Sequence, residues 1–143
     1  MQKMHRVQSI AIPILREGFA NSEYASLDIK VGSWVPAQAD RPDFWINVRR
    51  MGGYPVDPKM LDRAVIELTC YGDVIYGLEL TENVHLEAQI ILWDAVRTAK
   101  VVAGKGSLSS YRQTMGPTQF DSPYDDKFRV QSLIQLGVRP LPN

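Results

Sequence analysis

The run Phe44-Trp45-Ile46-Asn47-Val48 alternates in character and stops at Arg49-Arg50-Met51-Gly52-Gly53, and no other stretch of the chain constrains its fold as tightly. Successive strand side chains point to opposite faces, so Arg49 and Arg50 cannot share one surface while the strand continues. One of the two must sit where the sheet stops, and the glycines after them launch a loop.

The strand predicted over 43–50 has an obvious partner. Ala64, Ile66, Leu68 and Cys70 alternate with Val65, Glu67, Thr69 and Tyr71, which predicts a strand over 63–71 ending at Gly72-Asp73. Antiparallel partners keep a constant index sum, and core residues must meet core residues, so that sum is even. A sum of 112 sets Phe44 opposite Leu68, Ile46 opposite Ile66, Val48 opposite Ala64 and Arg50 opposite Asp62. It also sets Arg49 against Arg63; a sum of 114 keeps the faces equally well, and both registers stay open. Either one leaves 51–62 as a long turn.

Elsewhere, Ser9 caps a helix over 10–20 with Pro13 in its tolerant first turn, and Leu27, Ile29 and Val31 mark a strand over 27–35. Thr81 is the expected N-cap of a long helix over 82–101, with Val84, Ala88, Ile91, Leu92 and Ala95 on its inner side and Gly104 beyond its end. Leu86, Ile90 and Trp93 widen its apolar surface beyond one stripe, so the helix is expected to pack on the sheet and also to touch another body. Residues 107–115 read as a weak strand, 116–127 as a polar loop and 128–138 as a strong final strand. The fold class expected is α+β: a mostly antiparallel sheet of about five strands, with the long helix and the short N-terminal helix packed on one face.

Composition and motifs narrow the function. The 143 residues, 45% hydrophobic and 22% charged, suffice for a single domain spanning 1–143 with a buried core. Lys plus Arg and Asp plus Glu both number 16, so no net field recommends a nucleic acid or a membrane surface as partner. The apolar run Ile10 to Leu15 is too short to cross a bilayer and has no cleavage site behind it, and no membrane partner or export signal is expected. Cys70, the sole cysteine, reads as an inert buried thiol. Gly104-Lys105-Gly106-Ser107 follows a helix where a phosphate loop would open one. His85-Leu86-Glu87 lacks the cysteine pair of zinc deaminases, and His85 reads as a helix-surface residue. Asp121, Asp125 and Asp126 miss calcium-loop spacing. The expectation is no catalytic residue, no metal and no cofactor.

Surface remains. Trp45, Asn47 and Arg49, with Glu67, Tyr71, Arg129 and Gln131, line the sheet face away from the core, a mixture suited to protein contact. The segments 51–62 and 116–126 add Met51, Tyr54, Met60, Phe120 and Tyr124, apolar residues in long loops that call for a cover.

These residues also carry a resemblance. A short N-terminal helix, Val31-Gly32-Ser33-Trp34-Val35-Pro36, the strand Phe44 to Gly53 with its Arg-Arg-x-Gly-Gly ending, and a strand introduced by Leu61-Asp62-Arg63 resemble the tail terminator proteins of long-tailed phages. Ala95-Val96-Arg97 on the long helix, Asp121-Ser122-Pro123 and the last strand from Lys127 to Arg139 agree with it, so the likeness runs over about 7–139. It implies a non-enzymatic virion protein that forms a ring, a hexamer in the usual case, at the head-proximal end of the tail after assembly in the host cytoplasm. The implied partners are other copies of itself, the tail tube protein and a head–tail connector or stopper, with DNA passing through the lumen unread. The residues assigned to these contacts are Trp45, Asn47, Arg49, Arg50, Gly52, Gly53, Tyr54, Glu67, Phe120, Tyr124, Asp125 and Arg129. Arg50 is expected to pair with Asp62, Arg49 to face a partner, and both long loops to reach toward the tube. A head-closure or stopper protein is the alternative within the virion, and a small-ligand or enzyme domain the alternative outside it.

Overall fold

The computed structural model describes residues 5–34, 36–37, 41–57 and 61–141, with the backbone alone for 54–57. The chain runs α1 (Val7–Ala20), β1 (Lys30–Gly32), β2 (Phe44–Asp57), β3 (Leu61–Asp73), α2 (Leu78–Arg97), β4 (Val101–Val102), β5 (Gly106–Phe120) and β6 (Lys127–Arg139). Among the described residues the strands form one mixed sheet of six in the order β1-β2-β3-β6-β5-β4. The β1–β2 pair is parallel and the others antiparallel. The fold is α+β, as the pattern indicates, with six strands where about five were expected; the extra one is the two-residue β4, too short to leave a period in the sequence.

The core lies between the sheet and the two helices. Ile10, Ile14 and Leu15 of α1 and Val84, Ala88 and Leu92 of α2 pack against the inward rows Phe44-Ile46-Val48, Ala64-Ile66-Leu68 and Ile134-Leu136-Val138. Burying such side chains is worth roughly 1.5–3 kcal/mol each, enough to commit every strand to one face. Helix α1 touches β1 and β2 at one edge and β4 and β5 at the other, so the twisted sheet curls round it.

The hairpin register is neither sum that the sequence allowed. Phe44 pairs with Gly72, Ile46 with Cys70 and Arg50 with Ile66, a sum of 116. Parity held, because core must face core, but pattern alone could not see that β3 runs on to Asp73. A bulge between Arg50 and Gly52 raises the sum to 117, and a second between Pro55 and Asp57 raises it to 118. Each extra residue on β2 tightens the local twist.

Five other boundaries differ. Helix α1 starts at Val7 with Arg6 at its N-cap position, because the apolar row extends one turn earlier to buried Val7, and the expected cap Ser9 lies inside it. The expected loops 51–62 and 116–126 are mostly strand: β2 reaches Asp57 and β5 reaches Phe120, because backbone pairing continues past the last core residue. Residues 58–60, with Met60, lie outside the described residues, as do Val35 in the expected strand 27–35 and the side chain of Tyr54. The strand expected over 27–35 shrinks to β1 because Asp28 takes a left-handed φ of 49° after a short 3-10 turn at Ala25–Leu27. Helix α2 starts at Leu78, behind a 3-10 turn at Val74–Tyr76, which leaves the expected cap Thr81 buried inside it; it stops at Arg97, short of 101.

Two consequences position the functional surfaces. Asp62 pairs with Val138 and Asp73 with Lys127, so the β2–β3 and β5–β6 hairpins point to opposite ends of the sheet. Strand β1 covers β2 only at 45–47 and β4 covers β5 only at 106–107, so the rest of each long strand is a free edge among the described residues. Strand β5 has three irregularities in its ladder, between Leu108 and Ser110, Gln113 and Met115, and Met115 and Thr118.

Candidate functional site

At the β2–β3 end, Arg50 continues the core-facing row past Val48, where the apolar cover gives out. Its guanidinium donates two bonds to the Asp62 carboxylate, at 2.5 and 3.0 Å, and a third to the Gly52 carbonyl at 2.9 Å. The expected Arg50–Asp62 pair is therefore present although the two are not opposite each other: Arg50 faces Ile66, and Asp62 faces Pro55. Arg50 stands just before the bulge at Met51, and two glycines follow that residue. Gly52 and Gly53 hold φ of 131° and 88°, and a Cβ on Gly53 would collide with the Arg63 carbonyl. Arg49 faces the other way and is exposed, opposite Glu67 in the register.

The β5–β6 end is built from aromatic rings. Trp45 stacks on Tyr71 at 4.6 Å between centroids, and Tyr124 of the turn folds over both, at 5.7 and 5.6 Å. The Arg41 guanidinium lies 3.8 Å above the Tyr124 ring. Trp45 is thus only 1% exposed, covered by its own chain. Phe120 and Arg129 are cross-strand partners, with the guanidinium 5.4 Å from the ring and a 2.7 Å bond to Gln131 Oε1. Asp125 is exposed at the tip of the turn.

Sequence reasoning missed the ionic clamp under this turn. Lys127 is buried, and its ammonium donates to Asp73 and Asp126, both at 3.1 Å. Burial works against its charge, but the bonds to Asp126 and Asp73 outweigh that and hold the ammonium above its ordinary pKa. The Asp73 carboxyl sits below the usual carboxylate range, chiefly through the Ile75 N–H bond and then through Lys127. Once β3 is known to end at Asp73 and β6 to start at Lys127, the pair is directly opposite and legible.

His85 corrects the expected helix-surface placement. It is fully buried, with Nε2 3.2 Å from the Leu68 carbonyl of β3 and 3.0 Å from Ser132 Oγ of β6. Burial lowers its pKa from 6.5 to about 4, so the ring is neutral near pH 7. Thr81, His85 and Gln89 recur every fourth residue as a polar seam on the buried side of α2, and Gln89 reaches Gln113 of β5 at 2.8 Å. An apolar count along the helix skips such a seam, which is visible only as the spacing of three polar residues.

The two broad faces differ in charge. On the outer sheet face, among the described residues, Arg49, Arg63, Arg112, Arg129, Arg139 and Lys30 stand against Glu67, and Lys127 is matched by Asp73. Helix α2 carries Glu79, Glu82, Glu87 and Asp94 against Arg97, and between these acids Leu86, Ile90 and Trp93 are each about half exposed. Asp94 is engaged by Arg97 at 2.6 Å. Ile90 also borders an open groove between α1 and α2, floored by Ile14, Gly18 and Ile91.

Among the described residues the domain presents hairpins at opposite ends of one sheet and two broad faces of different charge. Its fold is shared with a chain in the virion of a native gene transfer agent particle, with a TM-score of 0.64 over 93% of this chain and 94% of that one at 14% identity. Residues 3–143 match the family model described as phage tail termination protein, and the chain belongs to the phage tail terminator family. It is 40% identical over 141 residues to the Gene 22 protein of Mycobacterium phage L5, and 39% identical over 141 residues to that of Mycobacterium phage D29. Each alignment covers 97% of this chain and 96% of the relative. The chain is accordingly a structural protein of the phage tail.

Proposed function

We propose that this protein, without enzymatic activity, forms a ring on the last ring of tail tube, ends tube polymerisation and presents the surface to which the head is joined. The observation that carries the reading is the family match over residues 3–143. The geometry supports it. A cap in a tail needs two axial neighbours, and hairpins at opposite ends of one sheet give each subunit a contact for both. Ring formation needs a third kind of contact, lateral and heterologous, for which the two broad faces are available. The partners in this reading are further copies of the chain, with six as the expected number, the tail tube protein on one side and a connector or stopper on the other. DNA passes through the lumen without base recognition, at the head-proximal end of the tail.

The hairpins therefore divide the work that the sequence reading gave to two loops on one side. Negative-stain images of tails assembled with and without the protein test the function: overlong tubes in its absence support termination, and unchanged lengths overturn it. Replacing the exposed turn residues Asp121, Pro123 and Asp125 by glycine and serine, with Tyr124 and Asp126 kept, should spare the subunit fold and abolish one axial attachment, either capping or head joining. Normal production of complete particles with that replacement would remove the turn from the contact.

A further inference from the structure

We infer that neighbouring copies of this chain dock head to tail, the exposed α2 face of one subunit lying on the arginine-bearing outer sheet face of the next. The inference rests on the ring proposed above and names its lateral contact. Helix α2 turns opposite sides to two environments. Val84, Ala88, Leu92 and Ala95 face the core, while Leu86, Ile90 and Trp93, at i, i+4 and i+7, form a second apolar row about half exposed, with the Arg97 guanidinium over one face of the Trp93 ring at 5.5 Å. Such a row framed by charge has the make-up of an interface centre with a polar rim.

Charge identifies the occupant. The helix has four acids and one arginine, a sum of −3, and the described strand residues of the outer sheet face have five arginines and two lysines against Glu67 and Asp73, a sum of +5. The whole chain is neutral, 16 against 16, so these are opposite fields segregated on opposite sides of one molecule. Two copies placed sheet face to sheet face, or helix to helix, would set like charges together. Only the head-to-tail arrangement matches both surfaces, and it uses a different patch on each partner, as a closed ring demands. A polyanion such as DNA would match the arginines but would leave the acid-framed apolar row unexplained.

Charge reversal tests the contact. One variant carries Glu79→Arg with Glu82→Arg on the helix; the other carries Arg49→Glu with Arg63→Glu on the sheet. All four positions are exposed, and circular dichroism melts should confirm that both variants fold. Each alone should lose self-association by tenfold or more in sedimentation and leave overlong tails when it replaces the natural chain. An equimolar mixture should recover both readouts, because each variant then presents the complement of the other. Undiminished assembly of either folded variant, or failure of the mixture to recover, would overturn the contact. Loss of binding to a labelled DNA duplex by the sheet variant, with assembly undiminished, would assign the arginines to nucleic acid. Unchanged tail length when the natural chain is absent would instead remove the terminator reading itself, separately from the outcome for the interface.

Discussion

The two hairpin ends of the sheet are built on different principles. The β5–β6 end is held from three sides: Tyr124 lies on Trp45 and Tyr71, Lys127 is clamped by Asp73 and Asp126, and the Val74 N–H donates to the Asp126 carbonyl at 3.0 Å. Among the described residues, the β2–β3 end has backbone pairing, two bulges and the Arg50–Asp62 ion pair, with glycines at 52 and 53. One end is thus a preformed surface whose shape is fixed by ring packing, and the other is a twisted two-stranded arm whose direction is set by its backbone. A preformed surface loses little freedom on binding, whereas an arm can adjust to what it meets.

Trp45→Ala should have the largest effect. It removes a buried ring together with its contacts to Tyr71 and Tyr124, a loss of about 3–5 kcal/mol. Thermal melts measure it, and amide hydrogen exchange should show 121–126 opening while 61–63 keep their protection. Equal opening at both ends would erase the distinction.

Acidification acts from the middle. His85 has a folded pKa of about 4 against an ordinary 6.5, so its contribution is intact above pH 6.5 and is lost as the pH falls toward 4. The total is about 3 kcal/mol from a displacement of this size. Because His85 touches β3 and β6 at the sheet centre, denaturant midpoints should fall without favouring either hairpin, and His85→Gln should remove that part of the pH dependence.

At the arm, Gly53→Ala should destabilise by about 2 kcal/mol through backbone strain and the clash with Arg63, and Gly52→Ala, with open space around it, by about 1 kcal/mol. Urea titrations that reversed this order would contradict the bulge geometry. Arg50→Ala is the mildest change for a buried partner, about 1 kcal/mol, because a third of the Arg50 side chain already meets solvent while Asp62 is 9% exposed. A double-mutant cycle with Asp62→Asn isolates the pair.

Legibility followed the core. Alternation located β2, β3 and β6, and helical spacing located α1 and α2, because each buries a periodic apolar row. It failed wherever structure is held by backbone alone. Residues 51–57 and 116–120 carry glycine and proline, and Met51 and residues 117–120 are exposed, so these stretches resemble a loop in sequence yet pair as strands. The register failed for the same reason, since Phe44 pairs with a glycine that has no hydrophobic signature. Among the residues assigned to contacts, Phe120 met Arg129 and Tyr124 met Trp45, pairings that depend on register and fold-back and so could not be read from spacing. Arg50 with Asp62 was readable because a charge at the rim of a core needs a counter-charge nearby.

The irregular ladder of β5 has a bearing on solubility. A long free edge is ordinarily a template on which another strand can add, and repeated addition leads to open-ended aggregates. Here three register breaks and Pro117, which has no N–H to offer, interrupt the row of donors and acceptors that an incoming strand would need. Backbone pairing accepts almost any extended segment, whereas side-chain contacts discriminate. By spoiling the former along β5, the chain leaves its recognition to surfaces that can tell one partner from another.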